Sequence, residues 1–160
     1  MKRITRNKIL IWIIFLGLAN FAVYTFFYWY FEGDARNGFI RFAQSEDGTD
    51  SQAEYFLRGH FLRTRSGMAS APVSRGVWIY SFIHSISIWP TIGAVLLSML
   101  ILARPHIIAT IKSDSVVTGR GFVNTCMVLV IVASVASTVV FVANLMQALS
   151  AVGAGGDYGW

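Results

Sequence analysis

"GVWIYSFIHSISIWPTIGAVLLSMLILA", residues 76–103, runs without a single Asp, Glu, Lys or Arg. At roughly 1.5 Å per residue, a helix over this stretch outreaches the ~30 Å hydrocarbon core of a bilayer. Two further blocks, residues 9–31 and 122–152, are equally free of formal charge. Spanning segments must satisfy their backbone hydrogen bonds internally, and barrel strands would be shorter and would alternate apolar with polar residues. The pattern therefore predicts an all-α membrane protein with three transmembrane helices, over about 9–31, 76–103 and 122–152. Together they form a single integral membrane domain over residues 1–160. A partly ordered outer loop, 32–75, separates helices one and two, and a cytoplasmic connection, 104–121, joins helices two and three.

Composition points the same way. Hydrophobic residues make up 55% of the chain and charged residues 13%, whereas soluble domains carry about 25% charge. The net charge of +5 is read first as a topology signal. Lys2, Arg3, Arg6 and Lys8 precede the first span, and Arg104, Lys112 and Arg120 flank the second connection. The positive-inside tendency places both groups in the cytoplasm and residues 153–160 outside. The basic start resembles a signal peptide, but the long apolar run ending in "FFYWYF" is too bulky for a cleavage site and reads as a retained anchor. Cys126 is the only cysteine, so no intramolecular disulfide is available.

In the outer loop, "EGDARNG" and "QSEDGTDSQ" are turn-forming punctuation. Between and after them, "FIRF" and "EYFLRGHFLRTR" interleave aromatic and aliphatic residues with arginines. Ser51 with Glu54 has capping-box spacing and would begin a short helix, whereas "YFLRGHFLRT" suits a surface hairpin; extended structure is favoured. Arg58, Arg63 and Arg65 suit lipid phosphates or the loop's own acids, and no nucleic-acid motif accompanies them. Pro90 lies inside the second span and removes one backbone donor.

Within span two, Ser81, His84, Ser87, Thr91, Ala94 and Ser98 recur every three or four residues and share one helix stripe. Span three has a matching stripe through Ser134, Ser137, Thr138, Phe141 and Asn144, and span one offers Asn20 and Tyr24. Small and hydroxyl-bearing faces of this kind pack helices closely and bond across the contact. At ~1.5 Å per residue, Tyr24, His84 and Asn144 all lie about 10 Å below the outer ends of their spans. They are expected to meet in one polar cluster. His84 then has two readings. It is either a neutral ring fixing helix register or, as an ionisable group within a bilayer, a contact for haem, quinone or pigment.

Other chemistry finds little support. His60 and His106 lie at the wrong levels to pair with His84 on a haem, and no HxxxH, ExxH or CxxC spacing suggests a metal. All eight carboxylates lie outside the spans, which leaves a proton path without acids and Ser81 or Ser87 without a triad. Convergence of Asp34, Arg58 and His60 at the mouth of the bundle is a weaker alternative.

The succession "FFYWYFEGDARNG", "EYFLRGHF" and "VSRGVWIYSFIHSIS" resembles a group of small uncharacterised bacterial membrane proteins. They share a Gly-Asp-Ala turn after span one and a Tyr-Ser-x-x-His pattern in span two. The resemblance covers residues 26–87 and implies a shared fold with a structured outer loop, in a bacterial inner membrane, but no activity. The polar insert "AQSEDGTDSQ" departs from that pattern. Taken together, the residues suggest a non-enzymatic accessory or structural subunit without a cofactor, whose partners are membrane lipids and other subunits or copies of itself. The glycine-rich tail, ending in Tyr158 and Trp160, suits docking on a neighbour. A ligand-binding or redox protein using His84, and a small transporter or channel lined by the serine stripe, are the rival readings.

Overall fold

The structure is a computed structural model that describes residues 3–44, 51–59, 70–111, 118–153 and 158. Three long helices carry most of the chain: α1 (Arg3–Tyr30), α2 (Arg75–Thr110) and α3 (Gly119–Gly153). Each is long and apolar enough to cross a membrane. The predicted spans lie within them, except that Phe31 falls in the turn after α1, and α2 runs on past its predicted end. That helix does not stop at Arg104 but continues through Pro105 to Thr110. A proline removes one donor from a helix without forbidding its continuation when the flanking residues are helix-compatible.

Local chemistry sets the helix ends. The Ser74 hydroxyl accepts from the Val77 N–H at 3.4 Å, and the Thr118 hydroxyl accepts from the Gly121 N–H at 3.1 Å. Both are N-caps supplied by side-chain oxygens. α1 ends in a Schellman turn, in which the Gly33 N–H donates to the Tyr28 carbonyl at 3.0 Å and the Glu32 N–H to the Trp29 carbonyl at 3.3 Å. Glu32 takes the left-handed position, with φ of 61°.

The all-α expectation falls short in the outer loop, where the chain forms a three-stranded antiparallel sheet. Its strands are β1 (Asp34–Gln44), β2 (Ser51–Arg58) and β3 (Ala71–Val73), in the order β1-β2-β3. Ile40 faces Tyr55, and Phe39 faces Phe56 with stacked rings 4.6 Å apart. The reason is period-two patterning: Ile40, Tyr55 and Leu57 are buried while Arg41, Glu54 and Arg58 are exposed. That alternation overrides the capping-box spacing of Ser51 and Glu54. The extended reading of this segment holds for β2, which pairs with β1 on one side and with β3 on the other. Residues 60–69, which include His60, Arg63 and Arg65, lie outside the described residues.

Contacts divide the chain into two compact units, Met1–Ala22 with Ile88–Thr138, and Val23–Ser87 with Val139–Trp160. In the second, the inner face of the sheet meets the start of α2 and the end of α3. Ala35, Ile40, Tyr55, Leu57, Trp78, Phe82 and Ala148 make its buried core. Trp78 is fully buried, and its indole N–H has no hydrogen-bond partner among the described residues. Tyr158 returns from the tail to β1 and exchanges two backbone bonds with Ile40, at 2.7 and 3.0 Å. The tail's aromatic ring thus docks on its own chain, against Trp78.

The first unit is built differently. The Asn20 amide donates to the Thr91 hydroxyl at 3.1 Å, joining α1 to α2, and the Ser134 hydroxyl donates to the Trp89 carbonyl at 2.9 Å, joining α3 to α2. Gly17 lies against Val95 and Thr91, and Gly93 against Ser134, so closely that a Cβ at either glycine would collide. Small residues at such crossings let helix backbones approach.

Candidate functional site

The Schellman turn reverses the chain directly into Asp34, whose side chain is almost wholly buried at 2% exposure. Four donors converge on its carboxylate. The Tyr24 hydroxyl, from α1, reaches Oδ2 at 2.8 Å, and the Ser85 hydroxyl, from α2, reaches the same oxygen at 2.5 Å. The Ser81 hydroxyl, one turn earlier on α2, donates to Oδ1 at 3.1 Å, and the Arg36 N–H closes a local turn onto Oδ1 at 3.2 Å. Ser81 also accepts from the Ala35 N–H at 3.1 Å. One acid therefore ties the end of α1, the start of β1 and the first turns of α2 together. Ser81 and Ser85 can act jointly because residues four apart lie on one helix face.

Burying a carboxylate demands either countercharge or hydrogen bonds. Here the second solution is used, since no ion pair to Asp34 exists among the described residues. Arg58 is its strand partner in register but is exposed, and the Arg36 guanidinium lies over the Phe141 ring at 4.2 Å.

His84 sits one turn beyond Tyr80 on α2 and is 9% exposed. Its ring meets Tyr24 and Tyr80 edge-on, each at 5.5 Å between centroids, and Phe27 at 6.3 Å. Its backbone carbonyl accepts from Ser87 at 2.7 Å, but its imidazole makes no hydrogen bond among the described residues. A cavity of about 10 Å³ adjoins it, walled chiefly by Tyr24, Phe27, Tyr28, Phe31 and Tyr80. That is the room one water needs, far below the ~300 Å³ at which small-molecule pockets begin.

Of the three residues expected to cluster, Tyr24 and His84 do meet. No hydrogen bond or ring contact joins Asn144 to either among the described residues; its backbone carbonyl accepts from the Tyr158 hydroxyl at 3.3 Å. Burial holds that phenol above its ordinary pKa. The helix-packing residues divide similarly. Asn20, Thr91 and Ser134 bond between helices, Ser81 bonds to β1, and Ser87 and Thr138 bond to their own helices. Ser98 is buried and Ser137 is half-buried. Among the described residues no group of three or more His, Cys, Asp or Glu could hold a metal ion.

Asp34 itself is the residue that sequence reasoning under-read, as a turn former. The available signal was the Ser81 and Ser85 pair on the helix that follows, two hydroxyls facing the level where α1 ends. No family model, no curated protein and no solved structure matches the chain.

Proposed function

We propose that this chain is a multi-pass membrane protein with a non-enzymatic role, a subunit that joins a larger membrane complex or copies of itself and presents its sheet to them. In a bacterium it would lie in the inner membrane, with its basic N-terminus cytoplasmic, alongside the small membrane proteins it resembles. The observation that carries this reading is the disposition of Asp34. The buried acid at the end of α1 is consumed by four internal donors, an arrangement that fixes geometry and leaves no carboxylate oxygen poised toward a reactant. Ser81 and Ser85, which neighbour His84 along α2, are spent on the same latch.

Native mass spectrometry of the protein extracted from its own membrane in mild detergent tests the reading. The expected result is an assembly of more than one polypeptide, heteromeric or homomeric. A lone monomer would overturn it. A haem, quinone or pigment mass, with visible absorbance lost in His84→Ala, would favour the ligand reading; the water-sized cavity beside His84 argues against it. The transporter reading predicts solute flux in liposomes through a path lined by the Ser81 to Ser98 stripe, in which Ser81 and Thr91 are already hydrogen-bonded within the chain.

A further inference from the structure

Lys8, Arg104 and Arg120 each border an apolar run, and helix length beyond them locates the far edge of a bilayer's hydrocarbon. That layer is ~30 Å thick, or about 20 residues of helix. Counted from Lys8 along α1, the run ends at Tyr28; from Arg104 back along α2, at His84; from Arg120 along α3, at Val140. The counts are independent, yet Tyr28 and His84 wall the same small cavity. Val140 adjoins Phe141, whose ring lies under the Arg36 guanidinium at 4.2 Å. Arg36 is tied through its own N–H to Asp34, which in turn accepts from Ser85 beside His84. On the reading of the three helices as membrane-spanning, Arg36 therefore stands where hydrocarbon gives way to headgroups.

Its side chain is arranged to receive an anion. The residue is exposed, and among the described residues its guanidinium makes no hydrogen bond and no ion pair. Asp34, two positions away, is turned inward, its oxygens taken by Tyr24, Ser81, Ser85 and the Arg36 backbone N–H. Stacking on Phe141, a ring only 7% exposed, holds the guanidinium plane and leaves its N–H edges open. Such a fork matches a phosphate with two parallel hydrogen bonds. Val140 and Val142, on either side of Phe141, are exposed, so the cation borders an apolar surface. An anion carried on an apolar body fits both features, and that is the make-up of a phospholipid.

We propose that Arg36, seated on Phe141, binds the phosphate of an anionic membrane lipid. A zwitterionic lipid brings its own cation beside the phosphate, which competes with the guanidinium; an anionic headgroup such as phosphatidylglycerol does not. Arg58 supplies the contrast, since it is also exposed on the sheet but has no ring beneath it among the described residues.

The full-length chain in mild detergent is titrated with phosphatidylglycerol and with phosphatidylcholine of the same acyl chains, and native mass spectrometry counts the lipid retained. The expected result is about a tenfold preference for phosphatidylglycerol, the size of one charge-assisted hydrogen-bonded contact. Arg36→Gln should abolish the preference, Arg36→Lys should keep part of it as a point charge without the fork, and Arg58→Gln should keep it whole. The Asp34 bond uses the Arg36 backbone, so the melting temperature without added lipid should be unchanged in all three variants. Equal retention of the two lipids by the wild type would overturn the proposal. So would an undiminished preference in Arg36→Gln, or an equal loss in Arg58→Gln, which would reduce the effect to net charge. Displacement of the lipid by inorganic phosphate would make the ligand a free anion, and a second polypeptide lost with Arg36→Gln in the absence of lipid would make it a protein carboxylate; either result overturns the proposal. Failure of the chain to float with lipid vesicles would overturn the membrane reading and the proposal with it, and is read separately from the lipid counts.

Discussion

The two compact units solve the same problem, holding helices together, by opposite means. In the unit built from Val23–Ser87 and Val139–Trp160, a sheet face, two aromatic rings and a buried acid make a core of the kind found in soluble domains. In the unit built from Met1–Ala22 and Ile88–Thr138, contact rests on glycines and neutral hydrogen bonds, while both units expose large apolar residues on their helices, Leu18 and Leu129 in this one, Phe26 and Met146 in the other. Under the membrane reading proposed above, the contrast follows from the solvent around each unit. Where water is present, apolar burial drives packing. Where lipid surrounds the helices, burying a leucine gains little, so close approach and polar pairing carry the association. An acid with four donors belongs to the first regime, in which an unmade bond is costly and a complete network specifies one arrangement.

Asp34→Ala should give the largest effect. It strips the shared acceptor from Tyr24, Ser81, Ser85 and the Arg36 N–H at once, and is expected to cost about 3–5 kcal/mol. Unfolding in detergent by denaturant measures the total. Hydrogen exchange locates it, with faster exchange in residues 35–42 and unchanged protection in 92–102. Equal acceleration in both segments would mean that the two units do not behave as separate packings. Ser85→Ala removes one donor of four and is expected to cost about 1–2 kcal/mol.

Next comes Gly93→Leu, which probes the other regime. A side chain there collides with Ser134 and should force α2 and α3 apart, at about 1–3 kcal/mol, without altering exchange in the sheet. Thr91→Val keeps the shape and removes the acceptor of the Asn20 amide. It should cost only about 0.6 kcal/mol, the average for hydrogen bonds between helices in membranes. If it cost as much as Asp34→Ala, polar pairing would be equally weighty in both units and the distinction would fail.

The helices of both units were legible from residues alone, because a run such as 122–152 without formal charge has few alternatives. Asn20, Thr91 and Ser134 also fell where helical spacing put them. The sheet of the unit built from Val23–Ser87 and Val139–Trp160 was only partly legible. Alternation in "FIRF" and "EYFLR" suggested extended structure, but strand pairing depends on which segments meet in space, and the Ser51 and Glu54 spacing offered a local rival. Asp34 was hidden for a related reason. Its donors come from residues 10, 47 and 51 positions away, a separation that no local pattern encodes. Depth along a helix fixes level but not rotation about the axis, so the sequence left open whether Asn144 would bond to His84, and no such bond is present among the described residues.

The smallest effect should come from the tail. The Tyr158 phenol is raised above its ordinary pKa by burial, so the folded chain holds its proton at a pH where the unfolded chain has released it. Its contribution to stability is then complete below the ordinary tyrosine value of about 10 and declines as pH rises beyond it. The ring lies against Trp78 and its hydroxyl reaches the Asn144 carbonyl at a long 3.3 Å, while the backbone bonds to Ile40 do not titrate. Ionisation should therefore loosen the ring without unfolding the sheet. Trp78 fluorescence followed from pH 8 to about 11.5 should change reversibly in the wild type, and this component should vanish in Tyr158→Phe, which keeps the ring and removes the titrating proton. A transition that persists in that variant would assign the alkaline change to another tyrosine and would leave Tyr158 attached by its backbone alone, a single bridge closing the free edge of β1.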